Sequence, residues 1–285
     1  MSASKTPEER LAAAADWWQT AITDIRRGHI GLRGYPVQDL IGHVGYAEMV
    51  WLMLRGDLPT RAQGALLEAC LVAAVDHGPH APSIAISRMA VTCGLPLNGA
   101  MASAINALDD VHGGAGQQCM ELMLAIDHAA QGEAPTAELV AAEIDRFTAE
   151  HGKVIPGFGH RWHGVDPRSV RLLELVREAS ARGVIGGRFA TIGVAIEGVL
   201  QARKGVPIPM NIDGITAAIF LELGFPPPLG RGLFILSRSV GILAHAWEQT
   251  QQGGRIKGPM SPEIPYRYTG PAERRLDPSS RSKDS

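Results

Sequence analysis

The chain has 285 residues, of which 45% are hydrophobic, with 27 basic against 29 acidic side chains and a formal charge of −2. That balance argues against a nucleic-acid surface, and apolar stretches such as 66–75 are too short to cross a bilayer, so the expected partners are small molecules, with no nucleic acid and no membrane among them. The length suffices for a large core in one domain or two lobes.

From the N-terminus, the first residues open into Glu8-Glu9-Arg10 without the apolar core of a signal peptide, which makes the cytoplasm the expected location. Apolar residues then recur at three- and four-residue intervals in segments rich in Ala, Leu and Met. Helices are predicted over 8–20, 45–55, 61–75, 81–93, 97–111, 116–130, 136–150, 167–181, 189–203, 214–223 and 231–250. Only 22–32, where Ile22, Ile25, Ile30 and Leu32 surround Arg26-Arg27-Gly28, suggests a short hairpin. Prolines at 59, 156, 167 and 226–228 mark helix starts and turns. Cys70, Cys93 and Cys119 lie among apolar residues without a CxxC spacing and read as buried free thiols. From Pro271 the composition is biased, and 276–285 is expected to be a mobile tail.

The chemistry-bearing residues fall at the breaks between helices. His77, His112 and His160 stand on turns rich in Gly and Pro, where backbone and ligand can approach an imidazole closely. The spacings His77/His80 and His160/His163 suit a metal on a helix face, but Pro and Gly interrupt them, no HExxH occurs, and no metal site is expected. The glycines after His112 lack the preceding strand and the Gly-Lys-Ser/Thr of a phosphate loop. Arg238 lies in a helix apolar on nearly every side and needs an anion: Glu222 or Glu248 within the chain, or a substrate carboxylate. Asp213, in Asn211-Ile212-Asp213-Gly214, reads either as a helix cap or as an acid/base group. Arg161 and Arg168 flank the His160 turn and make it an anion clamp as well as a proton carrier.

Taken together, Leu32-Arg-Gly-Tyr-Pro-Val-Gln-Asp-Leu40, Val75-Asp-His-Gly-Pro79, Asp110-Val-His-Gly-Gly114, Val154-Ile-Pro-Gly-Phe-Gly-His-Arg161 with Asp166-Pro-Arg168, Asn211-Ile-Asp-Gly214 and Leu236-Ser-Arg-Ser-Val-Gly241 resemble the citrate synthase superfamily, in its order, over roughly 28–271. The length, the Gly-His-Arg form and the lack of the long N-terminal region of typical citrate synthases are more similar to the citryl-CoA lyase module of ATP-citrate lyase. The resemblance implies an all-α fold with a large lobe (1–114 and 226–275), a small lobe (115–225), the active site in the cleft, and a homodimer or higher homo-oligomer. Coenzyme A enters as a thioester substrate or product, with no permanently bound cofactor.

By the same resemblance, Asp213 exchanges the proton on the acetyl methyl, His112 stabilises the enol oxygen, and His160 is the acid/base on the oxo-acid oxygen. His77, Arg161, Arg168 and Arg238 hold substrate carboxylate and carbonyl groups; Val154, Ile155, Gly157 and Gly159 supply the backbone that receives CoA. The implied activity is cleavage of citryl-CoA, or a close 3-hydroxyacyl-CoA, to acetyl-CoA and oxaloacetate. The alternatives are a citrate or 2-methylcitrate synthase and a non-catalytic regulator that binds CoA or carboxylates. Two departures stand out. The ATP-citrate lyase module has an aromatic residue at the place of His112, and Gly258 precedes Pro259 where the family has an arginine that reaches the partner's substrate; Arg255 and Lys257 are candidate replacements.

Overall fold

The computed structural model describes residues 6–159 and 164–275. His160, Arg161 and the expected tail 276–285 lie outside the described residues. Within them the chain is mainly helical: α1 (Pro7–Ala15), α2 (Val37–Leu40), α3 (Tyr46–Arg55), α4 (Arg61–Ala73), α5 (Pro82–Thr92), α6 (Leu97–Ile105), α7 (Ala115–Ala129), α8 (Ala137–His151), α9 (Pro167–Ala181), α10 (Arg188–Lys204), α11 (Ile212–Glu222) and α12 (Pro227–Gln252). The hairpin suggested by 22–32 is present. Strands β1 (Thr23–Arg26) and β2 (His29–Leu32) pair antiparallel with Ile25 opposite Ile30, and β3 (Tyr35–Pro36) adds to β2.

Helix α11 is the axis of the larger core. It is apolar around its whole circumference, with Ile212 and every residue from Gly214 to Leu221 buried, and such a helix is stable only when surrounded. Helices α4, α7, α9 and α10 pack on it. Ile215 and Ile219 are fully buried, each contributing about 1.5–3 kcal/mol of transfer free energy. A smaller cluster of Ala81, Ile84, Ala104, Leu108 and Ile242 joins α5, α6 and α12.

Three helix ends differ most from the periodicity. Helix α1 stops at Ala15, short of the expected 8–20, and Asp16–Trp18 form a single tighter 3-10 turn. Helix α6 stops at Ile105, and 106–114 form a tight turn in which the Asp109 N–H donates to the His112 carbonyl at 2.9 Å. Helix α12 begins at Pro227, four residues earlier than the apolar pattern suggests, because proline suits the first turn of a helix, where its missing N–H has no partner to lose. Cys70 and Cys119 are buried as expected, but Cys93 is exposed: it caps the end of α5, where the chain leaves the core.

Candidate active site

The start of α11 shows how the sequence builds the site. The helix cap is Asn211, not Asp213: the Asn211 side-chain oxygen accepts the N–H groups of Asp213 and Gly214 at 2.9 and 3.3 Å. This leaves the Asp213 carboxylate without a capping duty, and it makes no hydrogen bond to another described residue. The Asn211 amide also donates to the Gly159 carbonyl at 2.7 Å, the Asn211 N–H donates to Gly157 at 3.0 Å, and the Gly159 N–H donates to Pro209 at 2.9 Å. The 154–159 turn is thereby laced to the helix that carries Asp213. The approach demands glycine on both sides. A Cβ on Gly157 (φ +83°) would lie 2.7 Å from Cys119 Sγ and 2.8 Å from Gly214 Cα, and one on Gly214 would lie 2.3 Å from the Gly157 oxygen.

Asp213 faces the cavity from a desolvated position. Burial raises its pKa, the cations of Arg168 and Arg238 pull it down, and the neighbouring Asp166 adds to the rise, so the net displacement is upward. An upward displacement of this kind suits a carboxyl to proton exchange with a substrate.

His112 sits on the turn between α6 and α7. Its Nε2 lies 3.1 Å from the backbone N–H of Ser83 and 3.0 Å from the Ser83 hydroxyl, in the first turn of α5. A backbone N–H can only donate, so Nε2 is the acceptor and the ring proton of the neutral imidazole resides on Nδ1. Burial, and secondarily the charge of Arg238, lowers the His112 pKa. The result is a neutral imidazole with a directed N–H.

Arg238 on α12 is 5% exposed. Neither internal partner weighed from the sequence holds it. Glu222 accepts the N–H groups of Gly186, Gly187 and Phe189 at the start of α10, and Glu248 pairs with Arg88 at 2.5 Å. Arg238 instead donates Nε to the Ala74 carbonyl at 3.1 Å and stacks over the Phe234 ring at 4.9 Å. Among the described residues it has no ion pair within 4 Å, and a buried guanidinium so placed calls for an external anion.

Arg168 is differently disposed. Its Nε and Nη2 donate to the two oxygens of Asp166 at 3.0 and 2.8 Å, and Asp166 also accepts the N–H of Ile212 at 3.2 Å. Burial pushes the Asp166 pKa up, but its hydrogen bonds with Arg168 outweigh this and hold it below the ordinary carboxylate range. Part of the Arg168 fork is thus already used, and the remainder borders the cavity.

All of the expected site residues that the structure describes line one cavity of about 640 Å³. His77, His112, Arg168, Asp213 and Arg238 contribute the polar groups; Val154, Ile155, Gly157 and Gly159 contribute one wall. The sequence reading missed the groups that orient these. Asp166 has a legible signal, an Asp-Pro pair opening a helix, where it also serves as cap; Asn211 stands in the sequence only as the first residue of the Asn-Ile-Asp-Gly motif. Ser83 and Phe234 left none, since each sits in an apolar run.

Comparison with known proteins gives the family and the fold. The family model "Citrate synthase, C-terminal domain" matches residues 62–260. The citrate synthase of Haloferax volcanii is 31% identical over 228 residues, covering 79% of this chain and 55% of its own length, and citrate synthase 2 of Bacillus subtilis is 29% identical over 273 residues, covering 94% and 66%. The chain spans a little over half the length of several of the curated relatives it matches. The structure of citryl-CoA lyase from Hydrogenobacter thermophilus superposes with a TM-score of 0.79 at 30% identity, covering 92% of this chain and 98% of the lyase. The matched stretch runs from α4 to beyond α12 and takes in the turns of His77 and His112, Arg238 and the start of α11; the chain belongs to the citrate synthase family.

Proposed function

We propose that this protein is a CoA-dependent carbon–carbon lyase that cleaves citryl-CoA, or a close 3-hydroxyacyl-CoA, to acetyl-CoA and oxaloacetate. The observation that carries the reading is the pairing, across one cavity, of a neutral imidazole with a directed N–H (His112) and a carboxyl with a raised pKa (Asp213), beside the buried cation of Arg238. The extent of the likeness to citryl-CoA lyase, 98% of that chain, supports cleavage.

In this direction a base removes the proton from the tertiary hydroxyl; His160 is assigned that role by the family resemblance. The oxygen electrons form the carbonyl of oxaloacetate, the carbon–carbon bond breaks, and its electron pair moves onto the thioester as an enolate. His112 Nδ1–H donates to the enolate oxygen, where negative charge develops. Asp213, which carries the proton in this direction, delivers it to the methylene carbon and yields the methyl of acetyl-CoA. Arg238 and Arg168 balance the substrate carboxylates, Arg238 with its whole outer edge and Arg168 with what Asp166 leaves. His77 holds the oxo-acid end, and the 154–159 turn receives CoA.

A second reading, citrate or 2-methylcitrate synthase, uses the same residues and adds thioester hydrolysis. It is favoured by His112 itself and by the citrate synthases among the relatives. Incubating the purified protein with citryl-CoA while following oxaloacetate, and separately with acetyl-CoA or propionyl-CoA plus oxo-acids while following free thiol, decides between them. Oxaloacetate release from citryl-CoA without free thiol from acetyl-CoA supports the lyase; thiol release in the second assay replaces it with the synthase.

A further inference from the structure

Behind the His77 turn runs a chain of polar groups to which the reaction above gives no role. Asp76 precedes His77. Its Oδ2 accepts the Gly78 N–H at 3.0 Å, and the carboxylate also accepts the His77 N–H, so Asp76 caps the turn that presents the His77 imidazole to the cavity. His245 of α12 meets the same Oδ2, with Nε2 at 3.2 Å. The other ring nitrogen, Nδ1, lies 3.2 Å from Nη1 of Arg88 on α5. An arginine N–H only donates, so Nδ1 accepts, and Nε2 carries the ring proton and donates it to Asp76. Arg88 is held in turn by Glu248 and Gln252, each at 2.5 Å. The charged groups facing His245 are therefore Asp76 from the turn, Arg88 from α5 and Glu248 from α12, the last at 4.0 Å. None of Asp76, Arg88 or His245 lines the cavity.

Two further features tie this relay to the turn. The second oxygen of Asp76 is buried and has no hydrogen-bond partner among the described residues, so the hydrogen-bonded grip of His245 on the carboxylate passes through Oδ2. Helix α12 also presses against the turn: a Cβ on Gly241, one helical turn before His245, would lie 2.2 Å from the Val75 oxygen. Helix α5 thus serves both imidazole turns, fixing His112 through Ser83 at its start and the His77 turn through Arg88 in its middle.

We propose that His245 is a positioning residue for the His77 imidazole: held in its Nε2–H form by Arg88, it anchors the Asp76 carboxylate that caps the His77 turn, and so sets where His77 meets the oxo-acid half of the substrate. The role in catalysis rests on the function proposed above. The anchoring of His77 does not, and the experiment separates the two. His245→Gln retains both bonds, since the amide oxygen accepts from Arg88 and the amide N–H donates to Asp76; His245→Leu removes both at similar volume.

In unliganded protein, the ring nitrogen resonances of His77, assigned by their loss in His77→Gln, should shift or broaden in His245→Leu and return in His245→Gln. With substrates, His245→Leu should raise KM for oxaloacetate or citryl-CoA about tenfold and leave KM for acetyl-CoA within about twofold, with the Gln variant restoring the wild-type value. Should His245→Leu fail to fold, Arg88→Met removes the donor to Nδ1 and should shift the same His77 resonances. Unchanged His77 resonances in the folded variant, or a Gln variant as impaired as Leu, overturn the proposal. If wild-type protein turns over none of these substrates, the proposed function falls and the ring resonances alone decide the anchoring.

Discussion

In the proposed reaction Asp213 carries both the proton and the cost of its desolvated position. With its carboxyl as proton carrier, Asp213→Asn should lower turnover by roughly two to four orders of magnitude while CoA binding, measured by calorimetry, stays near wild type. Near-normal turnover would remove Asp213 from the mechanism. The same substitution tests the raised pKa through stability. A carboxyl whose folded pKa lies above its unfolded value makes the native state bind more protons in the interval between the two, so stability falls as pH rises through that interval and stays lower above it. Asp213→Asn should therefore melt higher than wild type at neutral pH, with the difference vanishing below the unfolded carboxylate range near pH 4. For His112 the displacement is downward, so its N–H remains neutral at pH values where an ordinary imidazole is charged. His112→Phe should slow hydrogen–deuterium exchange of the acetyl-CoA methyl, in the presence of an oxo-acid analogue, by about a hundredfold or more, with a smaller effect on binding; exchange as fast as wild type would give the residue a different task.

Between elements, the decisive contact is that of the 154–159 turn with the start of α11. Asn211 bonds to both Gly157 and Gly159, and the two glycines at 157 and 214 let the backbones touch. Gly157→Ala meets both a positive φ and atoms closer than 3 Å, so it should destabilise the fold by about 2–4 kcal/mol and lower activity. Gly198→Ala, in open space on helical α10, should stabilise by about 0.5–1 kcal/mol through helix propensity. Chemical denaturation of the pair checks both signs; equal effects would show that the close approach carries no weight.

Across the whole molecule, Leu236, Val240, Leu243 and Trp247 form an exposed apolar stripe along α12, a helix whose other face is buried. We propose that the protein is a homodimer and that this stripe is covered in it; Val240→Glu with Trp247→Glu should shift its mass by light scattering to that of one chain, and an unchanged mass places the interface elsewhere. The segment after α12 runs along the end of α5, with the N–H groups of Ile256 and Lys257 donating to Thr92. Arg255 and Lys257 are exposed and neither lines the cavity of its own chain. If they replace, from the partner, the family arginine absent at Gly258, Arg255→Ala with Lys257→Ala should raise KM for the oxo-acid about tenfold with little effect on CoA. Unchanged kinetics in those variants, with a preference for pyruvate over oxaloacetate, would show that the carboxylate clamp has been given up.

The sequence by itself determined most of the helices, the hairpin and the identity of the polar groups, because apolar periodicity and turn residues act locally, His77, His112, Asp213 and Arg168 stand at or beside breaks that both mark, and Arg238 interrupts an apolar helix. The residues it singled out also meet: every described member lines one cavity. Only the tertiary structure decided what each is free to do. Asp213 is not the cap, because Asn211 takes that bond; Arg238 makes no ion pair within 4 Å among the described residues, because Glu222 and Glu248 are spent on α10 and Arg88 and Asp213 and Asp76 act on it only at longer range; Arg168 is half-engaged, because Asp166 folds back on it. The tautomer of His112 depends on a serine 29 residues away and that of His245 on an arginine 157 residues away. Such partners meet only when helices pack, and no periodicity along the chain records which donor will face which acceptor.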